Sequence, residues 1–225
     1  MTKKIVLWWR NLTKFQKCWI VGATLAILCL GILSGDTPMN VAIGVSGIVY
    51  VAVYTTSVKE SFLLAILYVS LYTFICLQNG VVLDALQNVI LIPIYIASYV
   101  HWGKANVKPE NLDKKHTIML LLSAIAILIG LYFLSQALHG NYSILDSLNT
   151  TCTLYAMILG YYGMSLNWAF WSINNVASAI VFFLALFTPT GSITVFAMKM
   201  IFVINGFIGW YNFTKLGKVK NNEEN

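Results

Sequence analysis

Long apolar stretches separated by short polar breaks run through most of the 225 residues. A helix that spans a bilayer needs about 20 mainly apolar residues, and somewhat fewer where flanking side chains reach the interface. The polar breaks give eight such stretches, at residues 18–34, 40–57, 61–77, 83–102, 117–138, 147–163, 167–187 and 191–213. The pattern therefore predicts an all-α membrane protein with about eight transmembrane helices, of which the sixth is the least apolar.

The composition also indicates that lipid surrounds the chain. Hydrophobic residues make up 59% of the sequence and charged residues only 10%, which is too little polar surface for a soluble globule. The basic N-terminal stretch and the apolar run after it resemble a secretory signal, but the run is long for that role, so we predict a retained span. The four cysteines lack metal-ligand spacing, and we predict that they pack as small apolar side chains. We therefore predict no metal site and no cofactor.

The positions of the basic residues indicate the orientation of the spans. If the N-terminus is cytoplasmic, thirteen of the fourteen Lys and Arg residues lie on the cytoplasmic side, and the opposite loops carry none. The exception is Lys199, inside the last span. The net charge of +6 thus follows from membrane topology and predicts no nucleic-acid partner. We predict that both termini lie in the cytoplasm.

The lengths of the links between spans suggest an internal repeat. Residues 40–102 and 139–213 each hold three spans joined by short links, and residues 103–138 hold a basic loop and one linking span. Residues 1–39 contain an interfacial segment and the first span, and residues 214–225 form a cytoplasmic tail. Because one span separates the two triplets, both run in the same direction, as in transporters built from parallel repeats. The prediction is an N-terminal helix plus a 3+1+3 core of two parallel three-helix repeats.

Aromatic and polar residues of the seventh span share one helical face. Trp168, Trp171, Asn175 and Ser178 are spaced by three, four and three positions. Two indoles above an amide suit a flat heterocycle, because rings stack on indole faces, the amide reads hydrogen-bonding edges, and a cationic ring gains cation–π attraction. The alternative interpretation places Trp168 in the interfacial aromatic belt and Asn175 in a polar contact between helices.

Other spans hold further candidates. Gln87 and Asn88 lie about one turn inside the fourth span, and Tyr95 shares the face of Asn88. Thr151 in the sixth span either faces the same cavity or bonds back to its own helix. Lys199 either serves the site or extends its long stem toward the interface. The predicted substrate-binding residues are Trp168, Trp171, Asn175, Asn88, Thr151, Gln87, Tyr95 and Lys199.

Motifs of other function classes are missing from the sequence. It contains no GxxxxGK[ST], HExxH or GxSxG segment, so we predict neither an ATP-driven pump nor an enzyme. Asp84 and Asp146 are expected near the outer ends of their spans, which gives no midplane carboxylate relay and leaves ion coupling open. A retinal Schiff base on Lys199 would need a buried carboxylate counter-ion, and the pattern predicts none. A purely structural membrane subunit is the third alternative, and direct ligand binding distinguishes it.

These residues resemble the PnuC-type nicotinamide riboside transporters. The main motif is N-W-x-x-W-x-x-x-N, formed by Asn167, Trp168, Trp171 and Asn175, and the I-L-D-S-L-N-T-T segment precedes it. Weaker matches are Leu83-Asp84-Ala85, Asn88, Pro93, Trp102 and Gly209-Trp210, so the resemblance covers about residues 40–213. The chain departs from the family at Ala97-Ser98, where a glycine is usual, and Lys199 matches no family motif.

The resemblance implies an architecture related to the SWEET sugar carriers and a place in the bacterial cytoplasmic membrane. It implies uptake of nicotinamide riboside by facilitated diffusion, with an intracellular kinase that traps the substrate. On this analogy Trp168, Trp171 and Asn175 hold the substrate, with Asn88 and Thr151 beside it. Relatives that serve other vitamins, such as thiamine, leave the substrate open. The expected partners are a small molecule and the lipid bilayer, and the sequence leaves homo-oligomerisation open.

Overall fold

The computed structural model describes residues 9–10, 12–54, 60–101, 113–161, 164 and 166–223. Eight long α-helices account for nearly all of these residues. They are α1 (Lys14–Leu33), α2 (Pro38–Tyr54), α3 (Ser61–Gln78), α4 (Val82–His101), α5 (Lys114–Ala137), α6 (Ser143–Tyr161), α7 (Asn167–Ala185) and α8 (Ile193–Glu223). The predicted all-α architecture is confirmed, with one helix for each predicted span. Trp102 lies outside the described residues.

Local sequence explains where several helices begin and end. Asp113 precedes α5, and its carboxylate accepts a 2.8 Å hydrogen bond from the backbone N–H of His116, which satisfies a donor of the first helical turn. This bond holds the pKa of the exposed Asp113 carboxyl below its usual value. Gly35 follows α1 and Gly80 follows α3, with φ of 66° and 68°. These left-handed conformations suit glycine and reverse the chain between antiparallel helices.

The hydropathy of the helices agrees with multiple membrane crossings. Helices α3, α4, α5 and α7 are long and apolar enough to span a membrane by length and composition, and Lys17–Leu33, Pro38–Tyr54 and Ile193–Phe207 are shorter apolar stretches. Helix α6 meets neither description because its Asn149–Thr153 segment is polar. All five residues of that segment are buried inside the bundle, so their polarity is directed away from lipid.

Six helices form a closed ring, and the other two pack outside it. Around the ring, α2 contacts α3, α3 contacts α4, α4 contacts α6, α6 contacts α7, α7 contacts α8, and α8 returns to α2. Helix α1 packs against α2 and α8, while α5 packs mainly against α6 and touches α4. The two outer helices therefore occupy equivalent places beside the two seams between the repeats, which is the 3+1+3 arrangement with a preceding helix.

Most of the buried apolar side chains belong to one cluster that joins the ring. It includes Ile43, Val69, Val181, Phe182 and Val195 from four ring helices. The expectation for the cysteines is half right: Cys76 and Cys152 are buried, whereas Cys18 and Cys29 are exposed on α1. Helix α1 lies outside the ring and turns one side away from the bundle, so apolar residues on that side face the surrounding lipid.

Candidate functional site

A cavity of about 160 Å³ lies inside the ring. Helices α2, α3, α4, α6, α7 and α8 all contribute to its wall. At one end, which we call the open end, Tyr54 is 40% exposed and Asn167 is partly exposed. At the other end, the closed end, Asp84, Gln87 and Asn149 are buried. The cavity thus reaches one surface of the bundle and ends inside it near the start of α4.

The predicted site residues converge on this cavity with one exception. Trp168, Trp171, Asn175, Asn88, Gln87, Tyr95 and Lys199 all line it. Thr151 is 2% exposed but is not among the lining residues. Asn149 and Thr153, which were not among the predicted residues, line the cavity and lie on the same helix as Thr151. These two are four positions apart and share a helical face, whereas Thr151, midway between them, points away from that face.

The indoles of α7 lie toward the open end. Trp168 and Trp171 are both partly exposed and lie one turn apart on the cavity face. Asn175 follows one turn deeper, and its Nδ2 donates a 3.1 Å hydrogen bond to the backbone carbonyl of Phe202 on α8. The amide therefore lines the cavity and also links two helices, as in the alternative interpretation. Ser178 is the fourth residue on the helical face that holds Trp168, Trp171 and Asn175, and its Oγ lies 3.4 Å from the Tyr72 hydroxyl.

Buried amides with unused hydrogen-bonding atoms surround the closed end. Gln87, Asn88 and Asn149 are 6%, 3% and 3% exposed. Among the residues that the structure describes, Gln87 Oε1, Asn88 Nδ2 and Asn149 Oδ1 have no hydrogen-bond partner. Asn174 is satisfied instead, since its Nδ2 donates to the carbonyl of Asn149 and to the hydroxyl of Thr153. Because an unpaired buried polar atom is costly, the three unused atoms indicate a place for a polar ligand or for water.

Lys199 and Asp84 provide the charges of the closed end. The Lys199 ammonium is 3.3 Å from the Tyr68 hydroxyl and 3.8 Å from the centre of the Tyr72 ring. The Tyr72 hydroxyl donates a 2.9 Å hydrogen bond to Asp84. Asp84 lies in the first turn of α4, as expected, but it is only 3% exposed and lines the cavity. The expectation that no carboxylate is buried is therefore wrong, because Tyr72 and Cys76 of α3 lie against Asp84.

Tyrosines from α2, α3 and α4 form the cavity wall opposite α7. The rings of Tyr50 and Tyr68 stack with centroids 5.6 Å apart, and the Tyr50 and Tyr95 hydroxyls lie 3.5 Å apart. Of these three tyrosines, only Tyr95 was predicted from the sequence. Tyrosine is common in apolar spans and interfaces, so Tyr50 and Tyr68 carried no signal of their own. Their role in the wall depends on the packing of separate helices.

Asp146 links the two repeats beyond the closed end of the cavity. It lies in the first turn of α6, and its carboxylate accepts hydrogen bonds of 2.9 Å from the backbone N–H groups of both Leu83 and Asp84. These donors belong to the first turn of α4 and have no partner within that helix. The first helix of the second repeat therefore caps the last helix of the first repeat.

Asp36 makes the reciprocal link. It precedes α2 and accepts a 2.5 Å bond from Ser192 Oγ and a 3.2 Å bond from the backbone N–H of Thr194, both at the start of α8. Its other oxygen accepts a 2.7 Å bond from Asn40. Partial burial raises the pKa of Asp36, but these hydrogen bonds outweigh that effect and hold it below the usual value. The starts of α6 and α2 thus each hold a carboxylate that caps the last helix of the other repeat.

Hydrogen bonds between loops close this end of the bundle. The Thr190 hydroxyl donates to Asn79 Oδ1 over 3.0 Å, and Asn141 Nδ2 donates to the Asn79 carbonyl over 3.0 Å. The backbone N–H of Asn141 also donates to the Gly80 carbonyl. The loops after α3, α5 and α7 are therefore joined across the ring. This network separates the closed end of the cavity from the nearby surface.

Comparisons with known proteins agree with this geometry. The sequence model of the family described as nicotinamide mononucleotide transporter matches residues 37–215. The nicotinamide riboside transporter PnuC of Haemophilus influenzae is 24% identical over an alignment of 218 residues that covers 92% of each chain. A structure described as the crystal structure of the vitamin B3 transporter PnuC superposes with a TM-score of 0.79 at 19% identity, and covers 94% of this chain and 97% of that one. The chain belongs to the nicotinamide mononucleotide transporter family.

Proposed function

We propose that this protein carries nicotinamide riboside across the membrane through the cavity. The observation that carries the proposal is the pairing of two indoles at the open end with unused buried amide atoms at the closed end. Nicotinamide riboside is a flat ring joined to a sugar, so it offers one stacking surface and one hydrogen-bonding end. The name of the Haemophilus influenzae relative supports the same substrate.

The indoles suit the nicotinamide ring. In the riboside this ring is a planar cation, and indole faces attract such rings by stacking and by cation–π interaction. Trp168 and Trp171 line the part of the cavity that is open to the surface. A substrate that enters from this side meets them first. Asn175, one turn deeper, offers a polar edge beside them.

The unused amide atoms suit the sugar. Each ribose hydroxyl can donate one hydrogen bond and accept others. Gln87 Oε1 and Asn149 Oδ1 are acceptors without a donor in the described part of the chain, and Asn88 Nδ2 is a donor without an acceptor there. A pair of neighbouring hydroxyls can satisfy all three. An apolar ligand would leave them unpaired, which costs about 1 to 3 kcal/mol per atom.

The charges of the cavity favour a nucleoside over a nucleotide. Asp84 and Lys199 are the two charged side chains among the described residues that line the cavity, so their formal charges cancel. A phosphate monoester carries nearly two negative charges at neutral pH and needs a positively charged environment when it leaves water. The riboside lacks this group. We therefore propose that the phosphorylated form is excluded, which lets an intracellular kinase trap the substrate.

Uptake into proteoliposomes tests both the substrate and the mode of transport. We expect nicotinamide riboside to equilibrate across the membrane without accumulating, because the sequence contains no nucleotide-binding motif. Nicotinamide mononucleotide, thiamine and riboflavin, assayed in parallel, should enter no faster than into empty liposomes. Rapid uptake of one of those compounds alone would assign a different substrate. If the riboside instead accumulates above its external concentration, and a protonophore abolishes this accumulation, facilitated diffusion is refuted.

We also propose that both termini lie in the cytoplasm, since thirteen of the fourteen basic residues then lie on that side. The open end of the cavity would face the cytoplasm, because Tyr54 and Asn167 belong to that side. A reporter fused after Asn225, and another inserted near Lys108, should both report a cytoplasmic location. A signal from the opposite compartment at either position would overturn the orientation.

A further inference from the structure

The side chain of Lys199 ends in an aromatic cage inside the protein. Its ammonium lies 3.8 Å from the centre of the Tyr72 ring, and 5.6 Å and 5.5 Å from the centres of the Phe182 and Phe202 rings. The Tyr68 hydroxyl is 3.3 Å away. Lys199 is only 5% exposed, so its stem does not carry the charge to an interface. Rings arranged around one cation are the means by which proteins hold ammonium ligands.

One hydroxyl and three aromatic faces surround this charge. Among the described residues, no carboxylate oxygen lies within the 4.0 Å of an ion pair with Lys199. Asp84 interacts with it electrostatically over a longer distance, and its carboxylate accepts a hydrogen bond from Tyr72. Tyr72 therefore contacts the cation with its ring and the carboxylate with its hydroxyl. This arrangement fixes the cage around the ammonium.

We propose that Lys199 is a specificity-determining residue: a tethered cation that fills the aromatic cage and excludes cationic rings from the closed end of the cavity. Like charges repel strongly where water is excluded. A substrate with a cationic ring must then keep that ring near Trp168 and Trp171 and direct its neutral sugar toward Gln87 and Asn149. This orientation rests on the proposed function. The exclusion of cations from the cage is independent of the proposed function, because it follows from Lys199 and its neighbours alone.

Tetramethylammonium is a suitable probe of the cage. It is a compact cation without a ring, so it gains little from stacking on indoles, and tert-butanol is a neutral molecule of similar size. Lys199→Ala removes the tethered ammonium and leaves the cage rings in place. We expect this variant to bind tetramethylammonium at least tenfold more tightly than the parent protein and at least tenfold more tightly than it binds tert-butanol. Isothermal titration of detergent-purified protein measures both ratios.

Two matched variants distinguish the effect of the positive charge from the effect of the volume that the side chain fills in the cage. Lys199→Arg keeps the positive charge, and Lys199→Met keeps a long side chain in the cage without charge. We expect neither to gain tetramethylammonium binding, since the cage stays filled in both. Equal binding of tetramethylammonium and tert-butanol by Lys199→Ala would overturn the proposal, because the substitution would then have created a cavity without preference for cations. Failure of a correctly folded Lys199→Ala variant to bind the cation would overturn it as well.

The parent protein provides a test that needs no stable Lys199→Ala variant. Tetramethylammonium should not bind the parent at millimolar concentration, because the cage is occupied. If the parent does bind tetramethylammonium and Tyr72→Leu abolishes this binding, an external cation enters the cage beside Lys199, and the proposal is overturned. Competition with nicotinamide riboside completes the experiment: tetramethylammonium should weaken riboside binding to Lys199→Ala and leave the parent unaffected. If the riboside binds neither protein, the proposed function fails, while the cation titrations still decide the role of Lys199.

Discussion

Replacing Trp168 or Trp171 by alanine is expected to weaken the binding of nicotinamide riboside about tenfold to a hundredfold. Both indoles line the cavity on one face of α7. Stacking of a base on an aromatic side chain contributes about 1 to 3 kcal/mol, and each tenfold change in affinity corresponds to about 1.4 kcal/mol. The cation–π attraction of a charged ring adds to this loss. Isothermal titration of the detergent-purified variants measures it.

Trp210→Ala is the matched control. Trp210 is 46% exposed on α8 and does not line the cavity, so its removal should leave the affinity within twofold of the parent. Trp168→Phe should lose less affinity than Trp168→Ala, because a smaller aromatic face remains. Gel filtration establishes that each variant is folded. If both alanine variants bind the riboside as the parent does, the tryptophans serve the membrane interface or packing, and the substrate site lies elsewhere.

Asn175 shows how far helical spacing could predict this site. The spacing correctly placed its side chain on the same face as the two tryptophans. It gave no information about the partner of the amide nitrogen, which is the Phe202 carbonyl on another helix. Asn175→Leu would remove this hydrogen bond between helices and would disturb the packing of α7 against α8. Gln87, Asn88 and Asn149 each have one amide atom without a partner among the described residues, so they are better positions at which to test recognition of the substrate.

The helices themselves could be predicted closely from the sequence. The third span was predicted at residues 61–77 and is observed as Ser61–Gln78. The first helix begins earlier than predicted, at Lys14, and the last extends to Glu223, well beyond the predicted residue 213. Both differences lie in polar, basic segments. Hydropathy marks the part of a helix inside the bilayer, whereas backbone hydrogen bonding continues into water.

The residues of the closed end were harder to predict because separate helices create it. Asp84 was expected near the end of a span, where a carboxylate normally reaches water. It is buried because Tyr72 and Cys76 of α3 lie against it, with Tyr72 donating to its carboxylate. Lys199 was recognised as an unusual buried charge. Its surrounding rings come from three helices, and no pattern along the chain brings them together.

Asp146→Ala is expected to lower the free energy of unfolding by about 2 to 4 kcal/mol. The substitution leaves the backbone N–H groups of Leu83 and Asp84 without an acceptor at a buried helix start, and each unpaired donor costs about 1 to 3 kcal/mol. For a chain of this size, each kcal/mol corresponds to roughly 2 to 4 °C in Tm, so thermal unfolding in detergent should show a clear decrease.

Asp36→Ala provides the matched comparison, because Asp36 makes the equivalent link from the start of α2 to α8. Asp36 is only partly buried, whereas Asp146 is fully buried. Water can therefore replace part of the lost Asp36 bonds, and we expect the smaller decrease in Tm for Asp36→Ala. Asp146→Asn should fall between the parent and Asp146→Ala, since its amide oxygen can still accept one of the two bonds. An unchanged Tm in Asp146→Ala would mean that the contact between the repeats depends on apolar packing and not on these carboxylate caps.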